Sequence, residues 1–188
     1  MRSADFQFST AYAPFRIAAG KPDAIRALQC PGGVGDRLRV VAFAELQARD
    51  LFRYGAERFS GEAPEAWREE WLRFASVEDQ HAQLLLKRMQ ELGVEPGERA
   101  VSDKLSRLCR SADDPVTFLF LLASAEERGM ESGNVLGSQM QPLDPESASI
   151  FARIAREEVE HVESARSALA PYALPELKEK ARALSATL

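Results

Sequence analysis

The sequence predicts an all-α chain: four long helices in a bundle, one long crossover between the second and third, and short extra helices. Three observations carry this. No stretch alternates apolar and polar residues as a half-buried strand does. Four long segments instead repeat apolar residues at helical spacing, with Asp, Pro or Gly at their ends. The links between these segments run short, long, short.

Residues 1–35 read as an N-terminal arm packed on the body, and 36–188 as the main domain. Pro14, Pro22 and the run CPGGVG break any long helix in the arm, although KPDAIRAL allows one short helical piece. The first long helix is expected from Asp36, as N-cap, to Phe59, where SGEAP stops it. The second starts near Pro64, which suits a first helical position, and ends at Gly93, which suits a C′ cap. The short link makes these two antiparallel neighbours. A connection follows from Gly93 to Asp114, with VSDKLSRLCR as a short helix inside it. Asp114-Pro115 opens the third long helix, which ends near Gln141. Asp144-Pro145 opens the fourth, which stops before Pro171. PELKEKARALSATL closes the chain as a terminal helix. A helix of about 28 residues is roughly 42 Å long, and a partly extended connection can span that length. Helices two and three can then run parallel, which is the ferritin-like topology.

Composition narrows the function classes. The net charge of −5 argues against a broad nucleic-acid or anionic-membrane surface. It leaves room for a small basic patch at Lys104, Arg107 and Arg110. The N-terminus lacks the apolar core of a signal peptide, and no run reaches a membrane span. Cys30 and Cys109 form no CxxC pair and read as free thiols of a cytoplasmic protein. With two histidines and two cysteines, any metal site must lean on carboxylates. That favours iron or manganese over structural zinc.

Both histidines follow a glutamate by three residues: Glu78 and His81 in VEDQH, Glu158 and His161 in EEVEH. Spacing three on a helix brings two side chains to one face. Acids are 29 of 188 residues, so chance places both pairs roughly once in forty. Context lowers that further. Glu78 shares its face with Trp71, Phe74, Ala75, Ala82 and Leu85, and Glu158 shares its face with Phe151, Ile154, Val162 and Ala165. On helix one, Glu45 lies among Leu38, Val41, Ala42, Ala48 and Phe52. On helix three, Glu126 shares a face with Leu119, Leu122, Ala123 and Gly133, whereas the face of Glu127 is more polar. Glu126 is preferred, with Glu127 as the fallback. An acid on an apolar face is costly unless paired or bound to a cation. Glu45 precedes Glu78 by 33 residues and Glu126 precedes Glu158 by 32, so the chain reads as two helix pairs, each giving Glu and then Glu-x-x-His. The expected metal ligands are Glu45, Glu78, His81, Glu126, Glu158 and His161, holding two ions at the bundle centre.

Neighbouring features read more plainly. Glu157 is expected to be solvated, the alternative being an acceptor for the ring N–H of His81. Glu160 and Glu163 read as surface charges, and Trp67 and Trp71 as packing. Gly129, Gly133 and Gly137 weaken a helix interior by about 1 kcal/mol each. They mark either close helix packing or space kept open beside the metals.

The stretches FAELQARDLF, VEDQH, MQELGVE, AEERGME and EEVEH resemble a bacterial family of ferritin-like proteins of unassigned function. That family is related in fold to the tRNA hydroxylase acting on 2-methylthio-isopentenyl-adenosine, and more distantly to rubrerythrins. The resemblance covers roughly residues 36–170, and EERG supports Glu126 as the ligand. The family often carries an acid just before the first motif glutamate; here Val77 stands there, so a contact to a ligand histidine is expected to be missing. The resemblance implies a di-iron centre, with manganese or mixed iron and manganese as variants.

The expected function is a di-iron oxidoreductase that activates dioxygen or peroxide, a hydroxylase in its most concrete form. The alternative is iron handling without oxygenase turnover. Lacking CxxC pairs, the chain needs a separate electron donor. The substrate, a small molecule or a modified base, is not specified by the sequence. A homodimer is allowed, and a nucleic-acid partner is disfavoured without being forbidden.

Overall fold

A computed structural model describes residues 12–186. Six helices follow one another: α1 (Gly33–Arg58), α2 (Glu65–Glu91), α3 (Lys104–Arg110), α4 (Pro115–Met140), α5 (Pro145–Leu169) and α6 (Leu174–Ala186). The described residues hold no strand beyond one isolated bridge between Ile17 and Val101. The four long helices form the bundle, as two hairpins, α1 with α2 and α4 with α5.

The helix ends show why the hairpins form. Asp114 accepts from the Thr117 amide at 2.8 Å, and Pro115 follows it in the first turn. Asp144 caps α5 in the same way, accepting from the Ser147 amide at 3.2 Å. It also takes Arg88 Nη2 at 2.8 Å, which ties the start of α5 to the end of α2. At the end of α2, Gly93 adopts φ 64°, and the Gly93 and Val94 amides donate to the Gln90 and Met89 carbonyls. This paired closure requires a left-handed residue at the position after the C-cap, which glycine adopts without strain.

Two expectations at the N-terminal side are corrected. Helix α1 begins at Gly33, not after Asp36, because Gly32 at φ 79° takes the N-cap position. Asp36 lies inside the first turn, where its carboxylate accepts from the Arg26 amide and guanidinium and from Arg39. KPDAIRAL forms no helix. Its polar groups are committed elsewhere: Asp23 accepts from the Ala100 amide at 2.9 Å, and Arg26 binds Asp36 and Glu98. Tyr12, Phe15 and Leu28 are buried against α1, so the described part of this segment packs on the body.

The connection after α2 runs back along the bundle over α1. Arg39, 1% exposed, donates to the Glu95 carbonyl and pairs with Glu98. Gln47 donates to the Ser102 carbonyl and accepts from Ser106. These contacts fix the path of the crossover. Phe118, in the first turn of α4, packs on Phe59 and Trp71, at the opposite end from Gly93. Helices α2 and α4 therefore run parallel, as a single crossover requires.

The apolar core falls into two clusters. One gathers Leu51, Phe52, Phe59, Trp71, Phe74, Phe118 and Leu122. The other gathers Leu38, Phe43, Leu85, Met89, Met140, Phe151 and Ile154. Glu78 on α2, Glu126 on α4 and Glu158 on α5 fall between the two sets, and Glu45 on α1 lies beside Leu46 at the inner edge of the second. The site lies in the layer of these four acids.

Candidate metal centre

Each long helix brings one buried acid to the layer: Glu45 from α1, Glu78 from α2, Glu126 from α4 and Glu158 from α5. His81 and His161 lie one turn beyond Glu78 and Glu158 and are buried with them. All six residues sit at 9% exposure or less.

The atoms group in two sets that can each hold a metal ion: Glu45, Glu78, His81 and Glu158, and Glu78, Glu126, Glu158 and His161. Glu78 and Glu158 belong to both. His81 Nδ1 lies 3.1 Å from Glu158 Oε1 and 3.7 Å from Glu78 Oε2. His161 Nδ1 lies 2.9 Å from Glu158 Oε2 and 2.9 Å from Glu78 Oε1. Each central carboxylate thus offers one oxygen to each histidine. Glu45 approaches only His81, at 3.7 Å, and Glu126 only His161, at 4.0 Å. The arrangement is two positions bridged by two carboxylates, each with one further carboxylate and one imidazole.

None of these close approaches satisfies the central groups. Both oxygens of Glu78 and of Glu158, and Nδ1 of both histidines, are buried without a hydrogen-bond partner among the described residues. Buried polar atoms in native proteins are nearly always satisfied. Here they converge on common points instead of bonding to one another, which is how ligand atoms point at an ion. Charge agrees: four carboxylates and two neutral imidazoles balance two divalent cations. Oxygen and imidazole donors suit iron and manganese, and the cysteines are not part of either group.

The electrostatics show what cations would relieve. Burial, and then the neighbouring charge of Glu158, pushes the Glu126 carboxyl up to about 8, although His161 acts against this. Burial and Glu78 raise Glu45 well above the carboxylate range. Burial alone would lower the histidines, but the surrounding carboxylates win: His161 is pushed up to about 12 and His81 upward as well. Burial would raise Glu158 too, but His161 and His81 draw it down to about 2. Without metal the cluster balances its charge with protons, and metal binding must displace them.

Contacts around the site orient the two histidines differently. His81 presents Nε2 to Glu157 Oε2 at 2.9 Å, and Glu157 is held from outside by Arg153. If Nε2 carries the proton, Nδ1 is left free to face the cluster. The expectation that Glu157 is simply solvated is corrected: it is half-buried and serves the His81 ring, the alternative that its position one residue before Glu158 suggested. Val77 holds the place before Glu78 that Glu157 holds before Glu158, and His161 Nε2 makes no hydrogen bond like that of His81 to Glu157 among the described residues. The His161 ring is packed instead by Phe74, at 4.0 Å between centroids, and edge-on by Phe52 at 5.8 Å. Glu127 points away to the surface, 3.4 Å from Arg166, and is not in either group.

A cavity of about 760 Å³ opens beside the cluster between α1 and α4. Glu45, Glu126 and Glu158 form part of its wall, and Val41, Ala44, Leu136 and Ile154 much of the rest. Sequence reasoning left the glycines of α4 between two roles, and the structure divides them. A Cβ at Gly133 would meet Ala155 at 3.1 Å, so Gly133 serves close packing against α5, whereas a Cβ at Gly129 meets nothing within 4 Å and faces the cavity.

No helix among the described residues is long and apolar enough to cross a membrane. Residues 17–172 match the family of proteins of unknown function DUF455, and the chain belongs to that family. It matches no curated protein and no solved structure. The match agrees with the resemblance to a family of unassigned function. The relation to the tRNA hydroxylase and to rubrerythrins is carried by the resemblance alone.

Proposed function

We propose that this member of the DUF455 family is a di-iron carboxylate oxidoreductase that activates dioxygen or peroxide beside an apolar cavity, with manganese or mixed iron and manganese as the metal variants. The observation that carries the proposal is the set of unsatisfied oxygens on Glu78 and Glu158, each turned toward a different histidine nitrogen.

Glu78 and Glu158 would bridge the two ions. Glu45 with His81, and Glu126 with His161, would complete one position each. The iron these residues would hold would supply the redox chemistry with dioxygen or peroxide. The chain does the remainder. Glu157 holds the His81 ring with Nδ1 inward, while Phe52 and Phe74 hold the His161 ring. The apolar wall excludes bulk water and places a substrate C–H bond next to Glu45, Glu126 and Glu158. A hydroxylation consumes the C–H bond, one dioxygen, two electrons and two protons, and yields an alcohol and water. The electrons must come from a separate donor protein. A cavity reaching the cluster favours turnover on a substrate over iron handling alone.

The test is metal content followed by oxygen reactivity. The purified chain, loaded with ferrous iron without oxygen and desalted, is expected to hold two irons. Oxygen is then expected to be consumed with a change in visible absorbance. Less than one metal per chain with any of iron, manganese or their mixture removes the di-metal reading. Two irons without oxygen or peroxide consumption removes the oxidoreductase reading and leaves metal binding.

A further inference from the structure

We infer that the cavity between α1 and α4 takes a small amphipathic molecule, with its aliphatic body against the carboxylate cluster and an anionic group at Arg37. The inference rests on the metal-centre reading above and names the substrate class of that centre.

The cavity's size, about 760 Å³, is that of a site for a small organic molecule. Its inner wall carries Glu45, Glu126 and Glu158, and its middle is aliphatic. At the outer end Ile25, Val40 and Val135 are 46%, 38% and 53% exposed, a cluster of large apolar side chains left in solvent around an opening. Gly129, one turn beyond Glu126, leaves space that no neighbouring atom uses. A glycine inside a helix with nothing packed on it keeps volume free at this point without serving helix contact.

Charge sets the polarity of the guest. Arg37 lines the cavity at its outer end, eight residues before Glu45, which is about 12 Å along a helix axis. One of its nitrogens donates to the Arg26 carbonyl, and it has no carboxylate partner among the described residues. Arg26, Arg39, Arg49, Arg88 and Arg99 each have one. Arg128, also without a carboxylate partner among them, adds a second positive charge to the lining; of its four acids, Glu45, Glu126 and Glu158 belong to the cluster that the ions would neutralise, which leaves Glu131. An anion held at Arg37 therefore leaves an aliphatic chain of about 12 Å to reach the carboxylate cluster.

Three probes of equal chain length separate the possibilities: octanesulfonate, octanol and octyltrimethylammonium. A sulfonate is a poor metal ligand, so it reports on the arginine and not on the irons. Binding to the iron-loaded full chain is measured by calorimetry, with metal content determined on the same samples. Octanesulfonate is expected to bind at least tenfold more tightly than octanol, and the ammonium more weakly than both. Arg37→Gln, which keeps a donor for the Arg26 carbonyl, is expected to remove the sulfonate preference. Gly129→Leu is expected to weaken all binding at least tenfold. Both variants should retain two metals and an unchanged helical circular dichroism spectrum. Equal affinity for the three probes overturns the anionic guest. Undiminished binding to Gly129→Leu overturns the cavity as the site. No binding to a chain that holds two metals overturns the inference and leaves the metal centre standing. A chain that binds no metal but shows the expected response to both variants fails the metal reading and upholds the amphipathic site. A dimer that Val135→Glu dissociates, with probe binding only to the monomer, makes this face an interface between copies and also overturns the inference.

Discussion

At the residue scale, Glu126 and Glu127 are adjacent acids on one helix with opposite environments. Glu126 is buried at the cluster, while Glu127 is exposed beside Arg166. Glu127→Ala is expected to keep two metals per chain and to change stability by no more than about 0.5 kcal/mol, as surface substitutions do. Glu126→Ala is expected to lose metal by more than the roughly 10- to 100-fold typical of outer partners. It should also melt higher than the parent when both are stripped of metal, because a buried acid without a cation is a cost. Metal titration and melting of the two variants, with and without chelator, check this. Metal loss confined to Glu127→Ala would put the ligand at the wrong residue. That Glu126 is buried and Glu127 exposed was legible because helical spacing decides which one shares a face with Leu119, Leu122 and Gly133. The role of Glu157 was less legible, since it depends on where α2 places His81 across the bundle.

At the scale of the element, α4 carries three glycines spaced one turn apart, and Gly129 and Gly133 have different tasks. Gly133→Ala must push Ala155 or the Phe151 carbonyl, at 3.1 and 3.3 Å from the new Cβ. Gly129→Ala meets nothing. Alanine gains about 1 kcal/mol of helix propensity at either place. Gly129→Ala is therefore expected to stabilise by up to about 1 kcal/mol, and Gly133→Ala to gain less or to destabilise, read by denaturant melts. A larger gain at Gly133 would contradict the close α4–α5 packing. The start of α1 supplies a second case. Burial would raise the Asp36 carboxyl, but its bonds to Arg26, and then Arg39, draw it from 3.8 down to about 2. Arg99 lies 3.5 Å away, and Glu98 shares Arg26 and Arg39 with it. A carboxyl lowered on folding stabilises above its unfolded pKa, and that contribution is lost as pH falls through the folded value. Stability is expected to decline between pH 4 and 2 in part through Asp36, and Asp36→Asn to flatten that part of the profile. An unchanged profile would remove Asp36 from the account. Sequence spacing places the interiors of the long helices well because they bury one face each. It missed the start of α1 and the extended path of KPDAIRAL because both are set by ion pairs between segments far apart in the chain.

For the whole molecule, the bundle's core is divided by its own site. Two apolar clusters hold the ends of the four long helices together, and between them lies a layer of four acids and two histidines. The crossover, pinned by Arg39 and Gln47, makes α2 and α4 parallel and brings both Glu-x-x-His pairs to one level. That the six residues meet was legible from the two matched spacings and the order of short and long links. The cavity was not, because it depends on how far apart α1 and α4 stand, which no local pattern records. A layer of this kind links metal to folding, since ions that bind only the folded chain stabilise it by mass action. At a free metal concentration about 1,000 times the dissociation constant, the gain is about 4 kcal/mol for one ion. For a chain of this size, each kcal/mol shifts the melting temperature by about 2–4 °C. Metal-loaded protein is therefore expected to melt about 8–16 °C above chelator-treated protein. The helical circular dichroism spectrum should be similar in both, because the two apolar clusters do not require the ions. Calorimetry with and without chelator reads the shift. Equal melting temperatures would mean that ions do not bind this layer and that the buried acids are balanced by protons alone.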